Sequence, residues 1–520
     1  MKIADAPTVR AIDKTAAEKY GITGLKLMEN AGRGVADIAL RELGNAPVGA
    51  MAVIFAGKGN NGGDGYVAAR FLREAGVKVF VFSLCKTGAL KGDAAVNASS
   101  WMKMGGKVIE LLTVEAAQAA RRTVEEAAIV IDAIFGTGLT KEVKGVHAAV
   151  IRLINSAAKN VLSIDIPSGV NATTGAVLGE AVKASVTATM AMPKLGLFLF
   201  PGRSLSGRVE VVDIGVPEEV IEDPSIRWNL LGPSDMRRIL KPRRLESHKS
   251  SHGHLLVLAG SPGMTGAAYM SGMAAMRTGA GLVTIGVPQS LHEIMEVKTT
   301  EVMTIGLPET AGRRLGLSSF EEIKRALAGK SALVIGPGAG ASEELMRLIG
   351  LILQDIHIPI VIDADGLNSL APMIASLKGI KSEVVLTPHP GEMSRLLNID
   401  IPSIQADRIG AAERLVEMTG AVVVLKGACT IIACPDGQIY LNPTGNPGLA
   451  TAGTGDILSG MLGAFLAQGY KASEASAAAV YIHGLCADEA KKKTGEIGMI
   501  ATDLLEHIPC LVNSFAGTGN

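Results

Sequence analysis

Residues 51–75 read MAVIFAGKGNNGGDGYVAARFLREA. The apolar run 51–56 has the length and continuity of a strand buried on both faces of a parallel sheet. A glycine-rich turn, GKGNNGGDG at 57–65, follows it directly, and a helical pattern occupies 66–75. Glycines in such a turn permit positive φ and let backbone N–H groups face a phosphate, while the helix start adds a favourable dipole. A glycine-rich turn can also serve tight packing alone. Asn60, Asn61 and Asp64 tilt the reading toward a ligand, because packing needs no such side chains.

The same strand-and-helix alternation extends outward. Further strands are expected at 77–84, 128–135, 161–166 and 209–214. Two of them end in carboxylates, Asp132 and Asp165, and in an open parallel sheet ligands bind beyond the carboxyl ends of the strands. Asn61, Asp132 and Ser168 are hard oxygen donors suited to a cation. Each Asp alone reads better as a helix cap or turn former, and it is the three groups together, beside a phosphate cradle, that favour a site. A second series of strands is expected at 254–259, 282–287, 332–335, 360–363, 384–387 and 421–425, with helices at 267–278 and 456–468. Between the series lies a polar passage ending in KPRRLESHKSSHGH at 241–254. The reading is therefore two α/β domains, 1–217 and 246–520, joined by a link at 218–245. The linker histidines His248, His252 and His254 have no nearby cysteine, and a solvated link explains them better than zinc.

Lys plus Arg and Asp plus Glu number 50 each, so no global field favours nucleic acid or an anionic membrane. Any anionic ligand must be held locally. The opening MKIADAPTVRAIDKTAAEKYG is too evenly charged for a signal or transit peptide, and no charge-free apolar run reaches the roughly 18 residues of a membrane span. Five cysteines without a CxxC pair suit a reduced, cytoplasmic protein.

The densest motif is NPTGNPGLATAGTGDILSGMLGAFLAQG at 442–469. Gly453, Thr454 and Gly455 open an apolar helix, where unpaired N–H groups and the dipole can hold a phosphoryl oxygen. Asp456 stands at the rim, placed to take a proton from a substrate hydroxyl, although a capping role is the simpler reading of a lone GTGD. Lys426 and Thr430, in LKGACT, offer a cation and a hydroxyl to a nucleotide. VIDADGLNSL (361–370) and LTPHPGEMSRLL (386–397) bring polar groups to two more strand ends.

GKGNNGGDG, DAIFGTGL, DIPSGVNATTG and the earlier MENAGRGVAD together resemble the Rossmann-like NAD(P)HX epimerase domain. AGSPGMTGA, DADGLN, TPHPGEM, LKGACT and GTGDILSG, in that order, resemble the ribokinase-like fold and its ADP- or ATP-dependent NAD(P)HX dehydratase branch. The resemblance implies two three-layer α/β/α domains, Rossmann-like and then ribokinase-like. In the first, it implies a dinucleotide site at Asn60, Asn61, Gly62, Gly63 and Asp64, and at Gly136, Thr137, Gly138, Leu139, Thr140, Lys141 and Glu142. It puts potassium on Asn61, Asp132 and Ser168, and Asp165 against the substrate, where it is the candidate acid/base.

In the second domain it assigns the hydrated cofactor to Gly338, His389, Pro390, Gly391, Glu392, Met393, Ser394, Arg395 and Asp456. The adenine nucleotide falls to Lys426, Gly427, Ala428, Cys429 and Thr430, and to Asn446, Pro447, Gly448, Leu449, Ala450, Thr451, Ala452, Gly453, Thr454 and Gly455. Magnesium would accompany ADP or ATP, and the substrates would be NADHX and NADPHX. The family's helices often mediate assembly, so a homo-oligomer is expected. A small-molecule kinase remains the rival for the second domain, since the same anion hole and Asp456 would serve it; a silent binding module is the rival for the first.

Overall fold

The computed structural model describes residues 1–44 and 47–517. The chain forms two compact units, Lys2–Trp228 and Asn229–Asn520, the latter joined by Met1. This division falls inside the 218–245 stretch, which contains the helices Glu218–Ile221 and Pro233–Ile239 and a short strand between them.

The first unit is built on β1 (Met51–Ala56), β2 (Lys78–Ser83), β3 (Val108–Glu110), β4 (Ile129–Ala133), β5 (Val161–Ile164), β6 (Val186–Met190) and β7 (Arg208–Val212). Their order is β3-β2-β1-β4-β5-β6-β7, and every neighbouring pair is parallel. The chain runs outward one way from β1 and the other way from β4, so a crevice opens between these two strands at their carboxyl ends. Gly57 lies in that crevice: a Cβ there would stand 1.9 Å from the Ile134 carbonyl oxygen. Only a residue without a side chain fits between the two strand ends. The helix after β1 begins at Asn60, six residues earlier than its apolar pattern, so the polar half of the motif forms its first turns.

The second unit carries β8 (Trp228–Leu230), β9 (His254–Leu258), β10 (Leu282–Pro288), β11 (Met303–Leu307), β12 (Ala332–Ile335), β13 (Ile360–Ile362), β14 (Val384–Leu386), β15 (Val422–Leu425), β16 (Ile431–Ala433) and β17 (Ile439–Leu441). The sheet order is β11-β10-β9-β12-β13-β14-β15-β16-β17-β8, parallel from β11 to β15 and antiparallel over β15-β16-β17. Five strands escape the sequence reading: β3, β6, β8, β11 and β17. Three are only three residues long. β6 is interrupted by threonines and β11 by Thr304 and Gly306. None offers the continuous apolar run that marks a central parallel strand.

Helix Thr454–Ala467 is apolar on all sides and buried from Ile457 to Ala467. Such a helix can only lie inside a core. It packs against helix Thr265–Thr278 through small residues, and a Cβ on Gly460 would lie 2.1 Å from the Ser271 carbonyl oxygen. Gly460→Ala should therefore push the two helices apart and destabilise the protein by about 1–3 kcal/mol. A urea midpoint equal to that of the parent protein would refute this packing account.

Candidate active sites

In the first unit, a cavity of about 870 Å³ opens over the crevice between β1 and β4. Asn60, Asn61 and Asp64 line it from the helix start, and Gly136, Thr137, Gly138, Leu139, Thr140 and Lys141 line it from the loop after β4. Asp165 lines the same cavity. Asn61 donates from Nδ2 to the Phe135 carbonyl at 3.1 Å. A Cβ on Gly136 would lie 3.3 Å from Asn61 Oδ1 and 3.4 Å from Asp165 Oδ2, so the three expected segments meet there. Glu142 is not among the lining residues; its carboxylate pairs with Lys144 at 2.7 Å.

Asp132 is fully buried beneath this floor. It accepts from Ser163 Oγ at 2.8 Å, Ser168 N at 2.8 Å, Ser168 Oγ at 2.6 Å and Ile134 N at 3.3 Å. Burial raises its carboxyl above the ordinary value, and the hydrogen bonds from Ser168 and Ser163 oppose that shift. Ser168 Oγ also accepts from Phe135 N at 2.8 Å, tying the β4 and β5 loops together.

Asp165 adopts a left-handed backbone with φ 68°, a conformation Asp tolerates better than most residues. Its carboxylate pairs with the ammonium of Lys194 and accepts from Met190 N at 3.3 Å. Lys194 is fully buried and also donates to Thr189 Oγ1 at 3.1 Å and the Met190 carbonyl at 2.8 Å. Neither Lys194 nor Asp13, which lines the cavity from helix Ala6–Tyr20, was singled out in the sequence. Lys194 did leave a trace: it is the one charge in the apolar stretch MAMPKLGLFLF, and a buried lysine needs a carboxylate partner. Asp13 sits in a helix full of charges and left none.

In the second unit, the motifs after β13, β14 and β15 meet at the start of helix Thr454–Ala467. Lys426 Nζ lies 2.7 Å from Asp363 Oδ1 and 3.8 Å from Glu392 Oε2. Asp363 also accepts from Ser459 Oγ at 2.6 Å. Burial works against ionising Asp363, but Lys426, Ser459 and Thr387 outweigh it and hold the carboxyl below its usual range. Burial likewise opposes the Lys426 charge, which Asp363 and Glu392 restore and raise. Its ammonium is thus committed to carboxylates within the protein.

Asp456 is no cap. Gly453, at φ 94°, occupies the N-cap position without a side-chain bond. The N–H groups of Thr454, Gly455 and Asp456 find no acceptor among the described residues, nor does the Asp456 carboxyl have a hydrogen-bond partner there. Burial first, then the Asp363 carboxylate, push that carboxyl up to about 7 against the pull of Lys426. A Cβ on Gly455 would lie 3.5 Å from Lys426 Nζ, which places the amides beside the charged cluster. His483, absent from the sequence reading, donates from Nε2 to the Thr454 carbonyl at 2.9 Å behind the turn.

Several of the other expected residues make contacts within the protein. His389 caps helix Pro390–Leu397, accepting at Nδ1 from Gly391 N at 2.9 Å and from Glu392 N at 3.3 Å. Met393 is core, Ser394 bonds the Ile399 carbonyl at 2.6 Å, and Arg395 donates to Asn368 Oδ1 at 2.8 Å. Gly338 lies against the 261–267 turn, its carbonyl accepting from Ser261 Oγ at 2.8 Å. The turn of Gly427, Ala428 and Cys429 is held by Arg408, which donates to the carbonyls of Leu425, Lys426 and Ala428. Asn446 bridges from Gly448 N at 3.0 Å to Asp488 Oδ1 at 3.0 Å.

A doubly wound parallel sheet with a polar crevice, joined to a second sheet where helix amides stand beside a half-buried carboxyl, defines a two-domain α/β enzyme. The family described as NAD(P)H-hydrate dehydratase matches residues 255–510, and that described as YjeF-related protein N-terminus matches 24–196. The chain is 42% identical over 514 residues to the bifunctional NAD(P)H-hydrate repair enzyme Nnr of Moorella thermoacetica, covering 99% of this chain and 97% of that protein. With the enzyme of the same name from Escherichia coli it shares 32% over 508 residues, 98% of this chain and 93% of that one. The ADP/ATP-dependent NAD(P)H-hydrate dehydratase of Bacillus subtilis, co-crystallised with ATP/Mg2+, is 31% identical and covers 55% of this chain and 98% of its own, with a TM-score of 0.49. The chain belongs to the bifunctional NAD(P)H-hydrate repair enzymes. No helix among the described residues is long and apolar enough to cross a membrane.

Removing one member of a buried ion pair strands the other. Lys194→Met should cost about 3 kcal/mol of stability in chemical unfolding. A loss below about 1 kcal/mol would mean that the buried ammonium does not hold this site together.

Proposed function

We propose that this chain repairs hydrated NADH and NADPH in two steps. The first unit interconverts the R and S forms of NAD(P)HX, and the second dehydrates the S form with ADP or ATP as phosphoryl donor. The observation that carries the second step is Asp456: a half-buried carboxyl, raised to about 7, beside helix N–H groups that have no acceptor among the described residues. Asp456 takes the proton of the ring hydroxyl while the terminal phosphoryl moves onto that oxygen. The amides of Thr454 and Gly455 hold the charge that develops in transfer. Phosphate leaves more readily than hydroxide, and electrons from the ring nitrogen then expel it to restore the dihydronicotinamide.

Segments at Lys426, Gly427, Ala428, Cys429 and Thr430, and from Asn446 to Gly455, are the natural nucleotide contacts, since they border the same amides. Magnesium would come with the nucleotide phosphates; among the described residues no three His, Cys, Asp or Glu side chains form a metal cluster. In the first unit, potassium fits the donors that converge under the cavity. Ser168 Oγ lies 2.6 Å from Asp132 Oδ1 and 3.2 Å from the Phe135 carbonyl, and that carbonyl accepts from Asn61. Asn61, Asp132 and Ser168 would hold the ion, whose charge would steady the loops under the substrate. Asp165 is the acid/base there, held in place by Lys194.

Two measurements test this reading. A mixture of both NADHX epimers, given ADP or ATP with magnesium and potassium, should recover its full dihydronicotinamide absorbance. Asp456→Asn should lower that recovery about 100-fold or more while epimer exchange continues; a stable phosphorylated product in place of free phosphate would favour the kinase instead. The second is a pH profile. Asp456 acts in its ionised form, so dehydration should rise with pH through about 7 and level off above it. A rate already at its plateau at pH 5 would remove Asp456 as the base.

A further inference from the structure

Asp64 lines the first cavity and is only 9% exposed, yet its carboxyl makes no hydrogen bond or ion pair among the described residues. Buried carboxyls without partners are rare, because the desolvation cost is uncompensated. Three charged groups face it from other elements: Asp13 from the opening helix, Asp165 from the end of β5 and Lys194 from the loop after β6. Lys194 is already committed to Asp165.

We infer that Asp64 is the proton-donating catalytic residue of epimerisation, working as a pair with the Asp165 carboxylate that lines the same cavity. This rests on the epimerase reading given above. Burial, followed by the like charges of Asp165 and Asp13, raises the Asp64 carboxyl well above its ordinary value against the pull of Lys194, so it carries a proton where Asp165 is paired with an ammonium. Neighbouring acid and base with opposed protonation are what a carbon bearing both a hydroxyl and a ring nitrogen requires.

Asp165 takes the hydroxyl proton and Asp64 gives its proton to the ring nitrogen. The carbon–nitrogen bond breaks with its electron pair going to nitrogen, and the oxygen pair closes a carbonyl. The freed aldehyde rotates about its carbon–carbon bond, and the nitrogen attacks the other carbonyl face. Its proton returns to Asp64, and Asp165 returns a proton to oxygen. Both carboxyls end as they began, and no water or outside reagent is consumed.

The test follows R-to-S exchange of NADHX by the full chain without nucleotide, so that the dehydratase is silent. In the parent protein kcat should fall on the alkaline side as Asp64 loses its proton. Asp64→Asn should lower kcat about 100-fold or more with KM little changed, and the residual rate should lack the alkaline fall. Asp64→Glu should keep that fall at reduced kcat, and it serves as the test should the Asn variant not fold. An Asn variant within about threefold of the parent, a rise in KM alone, or an alkaline fall that survives in the Asn variant would each overturn the inference. Absence of exchange in the parent protein would instead defeat the epimerase reading itself.

Discussion

In each unit a lysine ammonium pairs with carboxylates at the carboxyl ends of a parallel sheet, fully buried in the first and half-buried in the second, and the rest of the site depends on that pairing. Lys194 is sealed against Asp165 in the first unit, and Lys426 against Asp363 and Glu392 in the second. A buried charge pair contributes little net stability, since desolvation offsets most of its attraction. What it does is determine which neighbouring carboxyl carries a proton. Asp363, next to Lys426, is held below its usual range, while Asp456, farther from the ammonium and close to Asp363, is pushed up to about 7. The first unit repeats the pattern: Asp165 holds the lysine and Asp64 beside it is raised.

The backbone supplies what the side chains do not. Both sites lie where strand order diverges or a helix begins, positions at which peptide N–H groups are left unpaired. With equal numbers of acidic and basic residues, the chain has no general attraction for anions. The start of helix Thr454–Ala467 provides such attraction locally, and the apolar body of that helix keeps it fixed in the core. The close approach at Gly460 therefore bears on function as well as packing, because it sets the depth at which the amides and Asp456 present themselves.

Most of the architecture was legible as sequence. Long apolar runs bounded by glycine turns marked the central parallel strands, such as Met51–Ala56 and Ala332–Ile335, to the residue. Short strands such as Val108–Glu110 and Ile439–Leu441 were not, since three residues carry no periodicity. Motif residues with unusual local chemistry, Asn61, Asp132, Asp165, Ser168 and Asp456, stood out because polar groups at strand ends and helix starts have few structural reasons to be there.

The amino-acid sequence by itself determined two α/β units, the places where their sheets would expose loops, and the family to which those loops belong. It could not tell Asp456 as a base from Asp456 as a cap, nor bring Lys194 or Asp13 to Asp165. Those decisions are tertiary. A carboxyl's protonation follows from how much water it has lost and which charges stand within a few ångströms, and both are set by chain segments far apart in sequence.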